Sequence, residues 1–424
     1  MNTKLVAVKG AGLLRLVEER IQRELEQERK KKQESLFIVP YLPKDCISKI
    51  LVQLPLESLQ KSRFVCKAWY GIVNSPVFIG GHLQRSDTGL IFLAPVTKDH
   101  RHPHPFSSDV KTVDPPVKPN TFSVESKVLH MQSVPICHWP HINPSSLFYV
   151  MFMEIKDGKS TIKEYNETCI GKIRATCNGL ILLENRMKKE GLVVMNPVTR
   201  ELMTIPLGTQ SSPHHESYGL VFCHRSSNYK VVHLFQDESQ YIGCEIINIG
   251  SGCWRVTDGP SFGLFGWLGY EPVFAMEALH WLPLINHSDY IVSLLVDDEK
   301  FKKIPLPKSG EIHDRIVSMS GFLGFVTHED MNQIDVWILR GLDCEVWQKH
   351  YTIGMDCTKN MVPLYCSRIN GEIIFKKKDY DLYAYDCSSH IMSKIEVKKG
   401  CFPFNGCYLP HVNSLVSWRI PVKR

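Results

Sequence analysis

From residue 128 to the C-terminus the chain is a succession of short β-rich runs, and they recur with a period that few folds accommodate. GLILLEN (179–185), GLVVMN (191–196), YGLVFCHR (218–225), YKVVHLF (229–235) and CEIINI (244–249) are bounded by Gly, Asn, Pro or Ser. YIVSLLV (290–296), GFLGFVTH (321–328), IDVWIL (334–339), GEIIFKK (371–377) and DLYAYDC (381–387) continue the series. Few stretches here are long and periodic enough for helices. A closing element returns at Ile205-Pro206, Trp254, Ile304-Pro305, Trp347 and Ile395, spaced by 43 to 50 residues. With about four strands per unit, that period is the mark of propeller blades, whose sheets bury their faces only against neighbouring blades. A large β-sandwich with coincidental spacing is the competing arrangement, and the repeat favours the propeller.

Ahead of this region stands LPKDCISKILVQLPLESLQKSRFVCKAWYGIVNSP (42–76), which has helical periodicity. After Leu42-Pro43 it places Ile47, Ile50, Leu51 and Leu54 on one helical face, and Pro55 is expected to end that helix. A second apolar run carries Leu59, Phe64, Val65, Cys66, Trp69, Ile72 and Val73. Two or three short helices cannot hide so many large side chains by themselves. Another surface is expected to cover them.

The remaining segments are read by composition. Residues 1–36 form a charged extension with a frayed helix, its narrow stripe being Leu14, Val17, Ile21 and Leu25. Residues 37–83 hold the helical segment, and 84–127 hold the strand-like GLIFLAPV (89–96) followed by a Pro- and His-rich stretch expected to be a mobile loop. Residues 128–424 form the β domain. The fold class is therefore α+β multidomain, a small all-α unit followed by an all-β, propeller-like one.

Function classes narrow in the same way. A formal charge of +6 over 424 residues is too small to argue for nucleic acid, and no apolar run is long enough to span a membrane. The N-terminus lacks the order of a secretory signal, so an intracellular protein, cytoplasmic or nuclear, is expected. The 14 cysteines include no C-x-x-C pair, so neither a structural metal nor a cofactor is expected, and they read mostly as buried small hydrophobes. His100, His102 and His104 alternate in a solvated loop. Neither an H-E-x-x-H motif nor a Gly-rich phosphate loop occurs. Asp297-Asp298-Glu299 reads as a hairpin turn, and Asn178, Asn196 and Asn370 as turn-shaping residues. His214-His215 and His280 show no evident catalytic partner. Trp254, Trp281, Trp337 and Trp347 read as packing between sheets. No catalytic residue is assigned.

The helical segment resembles the F-box. The landmarks are Leu42-Pro43 with Asp45, Ile50-Leu51, Leu54-Pro55, Ser58-Leu59, Arg63, Val65-Cys66-Lys67 and Trp69, then Pro76, Phe78 and His82-Leu83. Cys46 and Phe64 depart from the usual residues but stay apolar. The β region is similar to the F-box-associated, kelch-like domain of the large plant F-box families. Its motifs here are CNGLILLEN (177–185), MNPVTRELMTIP (195–206), WRVTDGP (254–260), ALHWLPL (278–284), FKKIPLP (301–307), VWILRGLDCEVWQKHYTI (336–353) and VNSLVSW (412–418). The resemblance implies a non-catalytic specificity subunit of a ubiquitin ligase. Leu42, Pro43, Ile47, Ile50, Leu51, Leu54, Pro55, Leu59, Val65, Cys66, Lys67 and Trp69 would dock on a Skp-family adaptor. Cullin and RING subunits would be reached through that adaptor, and the β domain would capture a target protein on loops of one face. A role outside a ligase, as a protein- or glycan-binding module, is the alternative.

Overall fold

The computed structural model describes residues 20, 22–27, 29, 42–95, 148–169, 171–184, 191–210, 216–239, 241–260, 271–283, 288–310, 314–329, 332–354, 361–377, 381–397, 403 and 407–419. The stretch 97–127, with His100, His102 and His104, and the pair His214-His215 lie outside the described residues, so the expectations placed on them stay at the level of sequence. Two compact units emerge, Met1–Val73 and Asn74–Arg424.

In the first unit, residues 22–27 are helical. Three short helices follow: α1 (Lys44–Leu51), α2 (Leu56–Ser62) and α3 (Lys67–Val73). Pro43 occupies the N-cap of α1, with Asp45 in its first turn and Lys49 in its last, a charge order that suits the helix dipole. The helix ends at Leu51, before the expected terminator. Pro55 instead caps the start of α2, where a missing N–H costs nothing because the first helical N–H groups have no partner anyway. Both α1 and α2 pack on α3. Leu51 and Leu59 are fully buried.

The second unit opens with α4 (Pro76–Arg85), where the Ser75 hydroxyl accepts a hydrogen bond from Phe78 N at 3.3 Å. Six four-stranded antiparallel sheets follow. Blade 1 combines β1 (Gly89–Pro95), β2 (Phe148–Lys156) and β3 (Lys159–Cys169). Blade 2 is β4 (Ile173–Cys177), β5 (Leu180–Glu184), β6 (Leu192–Asn196) and β7 (Glu201–Ile205). Blade 3 is β8 (Glu216–Cys223), β9 (Asn228–Gln236), β10 (Ile242–Asn248) and β11 (Arg255–Thr257). Blade 4 is β12 (Val273–Ala275), β13 (Ala278–Trp281), β14 (Ser288–Leu295) and β15 (Lys300–Gly310). Blade 5 is β16 (Arg315–Met319), β17 (Phe322–His328), β18 (Gln333–Leu339) and β19 (Trp347–Gly354). Blade 6 is β20 (Val362–Cys366), β21 (Glu372–Lys376), β22 (Leu382–Asp386) and β23 (Ile391–Lys394). The C-terminal β24 (Leu409–His411) then pairs with β1, so the two ends of the unit share blade 1 in the order β24-β1-β2-β3.

This pairing corrects one boundary. A β domain beginning at residue 128 leaves out the strand at 89–95, yet Leu90–Pro95 pairs in register with β2 and Gly89–Ile91 with β24. The intervening 96–147 stretch hides the connection from a sequence reading.

The innermost strands form a closed ring: β24 lies beside β4, β4 beside β8, β12 beside β16, β16 beside β20, and β20 beside β24. Between β8 and blade 4 the seam is made by Trp281 Nε1 donating to Ser217 Oγ at 3.0 Å. Apolar clusters fill the seams of blades 3 and 4, 4 and 5, 5 and 6, and 6 and 1. Strands covered on both faces read as continuous apolar runs rather than alternating ones; every residue of β6 is buried.

All five closing elements fall on or beside the fourth strand of successive blades. Four of them meet in two pairs: Trp254 Nε1 donates to Pro206 O at 3.0 Å, and Trp347 Nε1 to Pro305 O at 2.7 Å. An indole at one blade's rim therefore satisfies a carbonyl at the rim of the blade before it. Trp281 is fully buried, in agreement with the packing role. The turns are equally ordered. Among the described residues, every non-glycine with positive φ, such as Asn178, Ser227, Ser320 and His390, sits between first and second or third and fourth strands. Connections at the opposite face range from residues 170–172 to residues 96–147.

Candidate functional site

Among the twelve side chains expected to dock, the structure separates an outer from an inner set. Leu42, Pro43, Ile50, Pro55, Val65, Cys66 and Lys67 are exposed, Ile47, Leu54 and Trp69 are half-buried, and Leu51 and Leu59 are interior. The inner pair is spent on holding α1 and α2 to α3. Two exposed aromatics were missing from that set: Phe64, 89% exposed in the turn after α2, and Tyr70 on α3, 57% exposed. Aromatic side chains so open to water, beside Val65 at 62% and Ile50 at 53%, are what a monomeric surface avoids and an interface uses. The departure of Phe64 from the usual small residue was the available signal.

In the propeller, chemistry-bearing groups gather between blades 2 and 3. Arg174 on β4 reaches Glu184 Oε2 at 2.7 Å and Glu216 Oε1 at 2.6 Å. His233 Nδ1 lies 2.7 Å from Glu245 Oε1, its Nε2 lies 3.5 Å from Glu216 Oε2, and its ring stacks on Tyr218 at 4.1 Å. Glu245 also accepts from Thr209 N at 2.7 Å and Thr209 Oγ1 at 3.1 Å. Burial would raise the Glu245 carboxyl, but hydrogen bonds from His233 and Thr209 outweigh it and hold it below its ordinary value. Burial acts likewise on Glu216, against His233 and Arg174, with the same net direction. Gly208 lies so close that a Cβ would sit 2.0 Å from Glu245 Oε1, so a side chain there would displace the Glu245 carboxylate from the network. Each carboxylate has a hydrogen-bond or ion-pair partner within the network, and the arrangement is a polar weld between blades.

His280 presents a second grouping, with Nδ1 2.7 Å from Ser293 Oγ and Nε2 3.1 Å from Ala275 O. It thus has a partner that sequence reading did not find. Both side chains are fully buried, so no substrate reaches them. A G-x-S-x-G string does occur, GPSFG at 259–263, in the connection from β11 to β12. It follows a rim strand of three residues, and residues 261–270, Ser261 among them, lie outside the described residues, so no nucleophile elbow is assigned there. Among the described residues no group of three or more His, Cys, Asp and Glu is placed to hold a metal ion, and no helix is long and apolar enough to cross a membrane. The cysteines depart from expectation. Cys177, Cys223, Cys244 and Cys366 are buried, whereas Cys46, Cys66, Cys253 and Cys344 are exposed.

A short helical unit with an open apolar surface, followed by a closed six-bladed propeller, defines a binding protein of two modules. Residues 140–406 match the F-box associated beta propeller domain and residues 40–79 match the F-box domain. The chain belongs to the F-box proteins with an associated β-propeller domain. It is similar to F-box protein At3g07870 of Arabidopsis thaliana, 24% identical over 81% of this chain and 85% of the relative. It is also similar to F-box protein CPR1 of the same plant, 22% identical over 84% of each chain. F-box protein At3g17710, also from Arabidopsis thaliana, is 24% identical over 88% of this chain and 97% of its own. The F-box match indicates binding to a Skp-family adaptor.

Proposed function

We propose that this chain is the substrate-recognition subunit of a Skp–cullin–F-box ubiquitin ligase. Its F-box docks on the adaptor, and its propeller captures a target protein for ubiquitylation by the RING-bound enzyme. The observation that carries the reading is the exposed apolar surface of Ile50, Phe64, Val65 and Tyr70 on the unit that matches the F-box. The propeller supports the second half, because a rigid ring of strands presents connections of very different length at one face.

Co-purification with a Skp-family adaptor tests the first half. Wild type should retain the adaptor, and Ile50→Ala with Val65→Ala should release it while the circular dichroism spectrum stays unchanged. Full retention by that folded variant would remove the surface from the interface. Affinity purification from plant extract, with and without residues 42–76, tests the second half: target capture should survive loss of the F-box, and adaptor, cullin and RING subunits should disappear together.

A further inference from the structure

Between α4 and β1 the chain has three residues, Ser86, Asp87 and Thr88. Ser86 leaves the helix in an extended conformation, its hydroxyl donating to His82 O at 2.9 Å. Gly89 begins β1 so tightly that a Cβ there would lie 2.5 Å from Met153 O and the Phe152 ring. The connector has no slack at either end. Asp87 in its middle turns away from both neighbours' elements and binds blade 6. Its carboxylate accepts from Ser367 Oγ at 2.9 and 3.1 Å, from Arg368 N at 2.9 Å, and from Thr88 N at 2.8 Å. Ser367 is buried and accepts in turn from Asn370 N at 3.1 Å, which shapes the β20–β21 turn. One carboxylate thus ties the end of α4 to the turn of a blade some 280 residues away in sequence.

We propose that Asp87 is a positioning residue: it latches α4 to blade 6 at the place where the propeller ring closes, so that α4 belongs mechanically to the target-binding body. The second compact unit starts at Asn74, ahead of α4, in keeping with this. A carboxylate taking several N–H and O–H donors is a charge-assisted tie, stronger than a neutral one and specific in direction. Loss of the side chain strands two donors of the blade 6 turn and leaves α4 held by its buried face alone. In a ligase subunit such a latch keeps α4 and the captured target moving as one body; this consequence rests on the function proposed above, whereas the latch itself does not.

The test uses the full-length chain with Asp87→Ala, Asp87→Asn and Ser367→Ala, and reads hydrogen exchange by mass spectrometry in peptides covering 76–95. Asp87→Ala and Ser367→Ala should raise exchange in α4 by at least about tenfold while blades 3 to 5 keep wild-type protection. Asp87→Asn retains one acceptor oxygen and should recover part of that protection. Wild-type exchange in α4 of both alanine variants would overturn the latch, and so would loss of protection spread evenly over all blades, which marks a merely structural residue. A reconstituted ligase assayed on the chain's own lysines supplies the second arm: adaptor binding should be unchanged and autoubiquitylation of propeller lysines should fall several-fold. A wild-type chain that binds no adaptor would defeat the ligase reading and leave the exchange result standing.

Discussion

Asn196, at the end of β6, donates from Nδ2 to the main-chain oxygen of Val416 at 2.7 Å, across 220 residues of chain. The same amide donates to Ser414 O at 3.1 Å, and its Oδ1 accepts from Val198 N at 2.9 Å. One fully buried side chain therefore shapes the β6–β7 turn and fastens the segment after β24 to blade 2. Asn196→Ala strands at least three buried main-chain groups, each costing about 1–3 kcal/mol. Denaturant unfolding should show a loss of roughly 3 kcal/mol or more, with proteolysis beginning near the C-terminus. A midpoint within error of wild type would mean that the tail is held by its apolar contacts.

The two rim indoles give a paired prediction. Trp347→Phe and Trp254→Phe keep the ring but remove the donor to Pro305 O and Pro206 O. Each should destabilise by about 0.5–1.5 kcal/mol, since these bonds are partly open to water. Additive losses in the double variant would show that the seams of blades 2–3 and 4–5 act independently.

Within the F-box, position decides outcome. Leu51→Ala removes a fully buried side chain and should cost about 2–5 kcal/mol of stability in the helical unit. Ile50→Ala with Val65→Ala removes exposed side chains and should leave the melting curve in place while lowering adaptor affinity by roughly two orders of magnitude. Calorimetry on both variants separates the two roles, and a large melting shift in the second would refute the assignment of those side chains to the outer surface.

Two buried histidines set an acid limit. Burial pushes His411 down to about 3; His280 is pushed by burial to about 4, against a partly offsetting bond to Ala275 O. Both are neutral in the fold across the range where an unfolded histidine titrates near 6.5, so the unfolded state binds more protons below that pH. Their contribution is intact above about pH 6.5 and is lost progressively as pH falls toward 4. Glu216 and Glu245, held below their ordinary value, add a further loss that begins as pH falls through the ordinary carboxylate range and continues below it. Urea midpoints at pH 7.5, 6 and 5 should decline, and His411→Phe should flatten the decline; an equally steep slope would exonerate His411.

Thiol reactivity should follow burial. Cys244 and Cys366 are pushed up to about 12 chiefly by burial, and Cys387 to about 11, far from the lowered values of reactive cysteines. Iodoacetamide at pH 8 should label Cys46, Cys66, Cys253 and Cys344 within minutes and spare Cys244 and Cys366 in the folded chain. Rapid labelling of Cys244 would show that blade 3 opens locally.

The propeller is legible in the chain because its cause is local and repeated. Every 43 to 50 residues an Ile-Pro, Trp or Ile occurs that terminates a sheet, and a sheet with two apolar faces has no stable place except between copies of itself. The helical face of Ile47, Ile50, Leu51 and Leu54 was legible for the same reason, since periodicity is a property of neighbours in the chain. What the residues could not declare is which member of an apolar set turns inward. Ile50 and Leu51 are adjacent and equally greasy, yet α3 covers Leu51 and leaves Ile50 in water. Nor could they declare partners far apart in sequence. The share of blade 1 built from both ends of the unit, the carboxylate of Asp87 on the blade 6 turn, and the Asn196 amide on Val416 O exist only once the ring has closed. Sequence determined the repeated unit through short-range pattern; closure of the ring decided the seams, because burial and hydrogen-bond partnership at a seam are set by elements that the chain brings together from a distance.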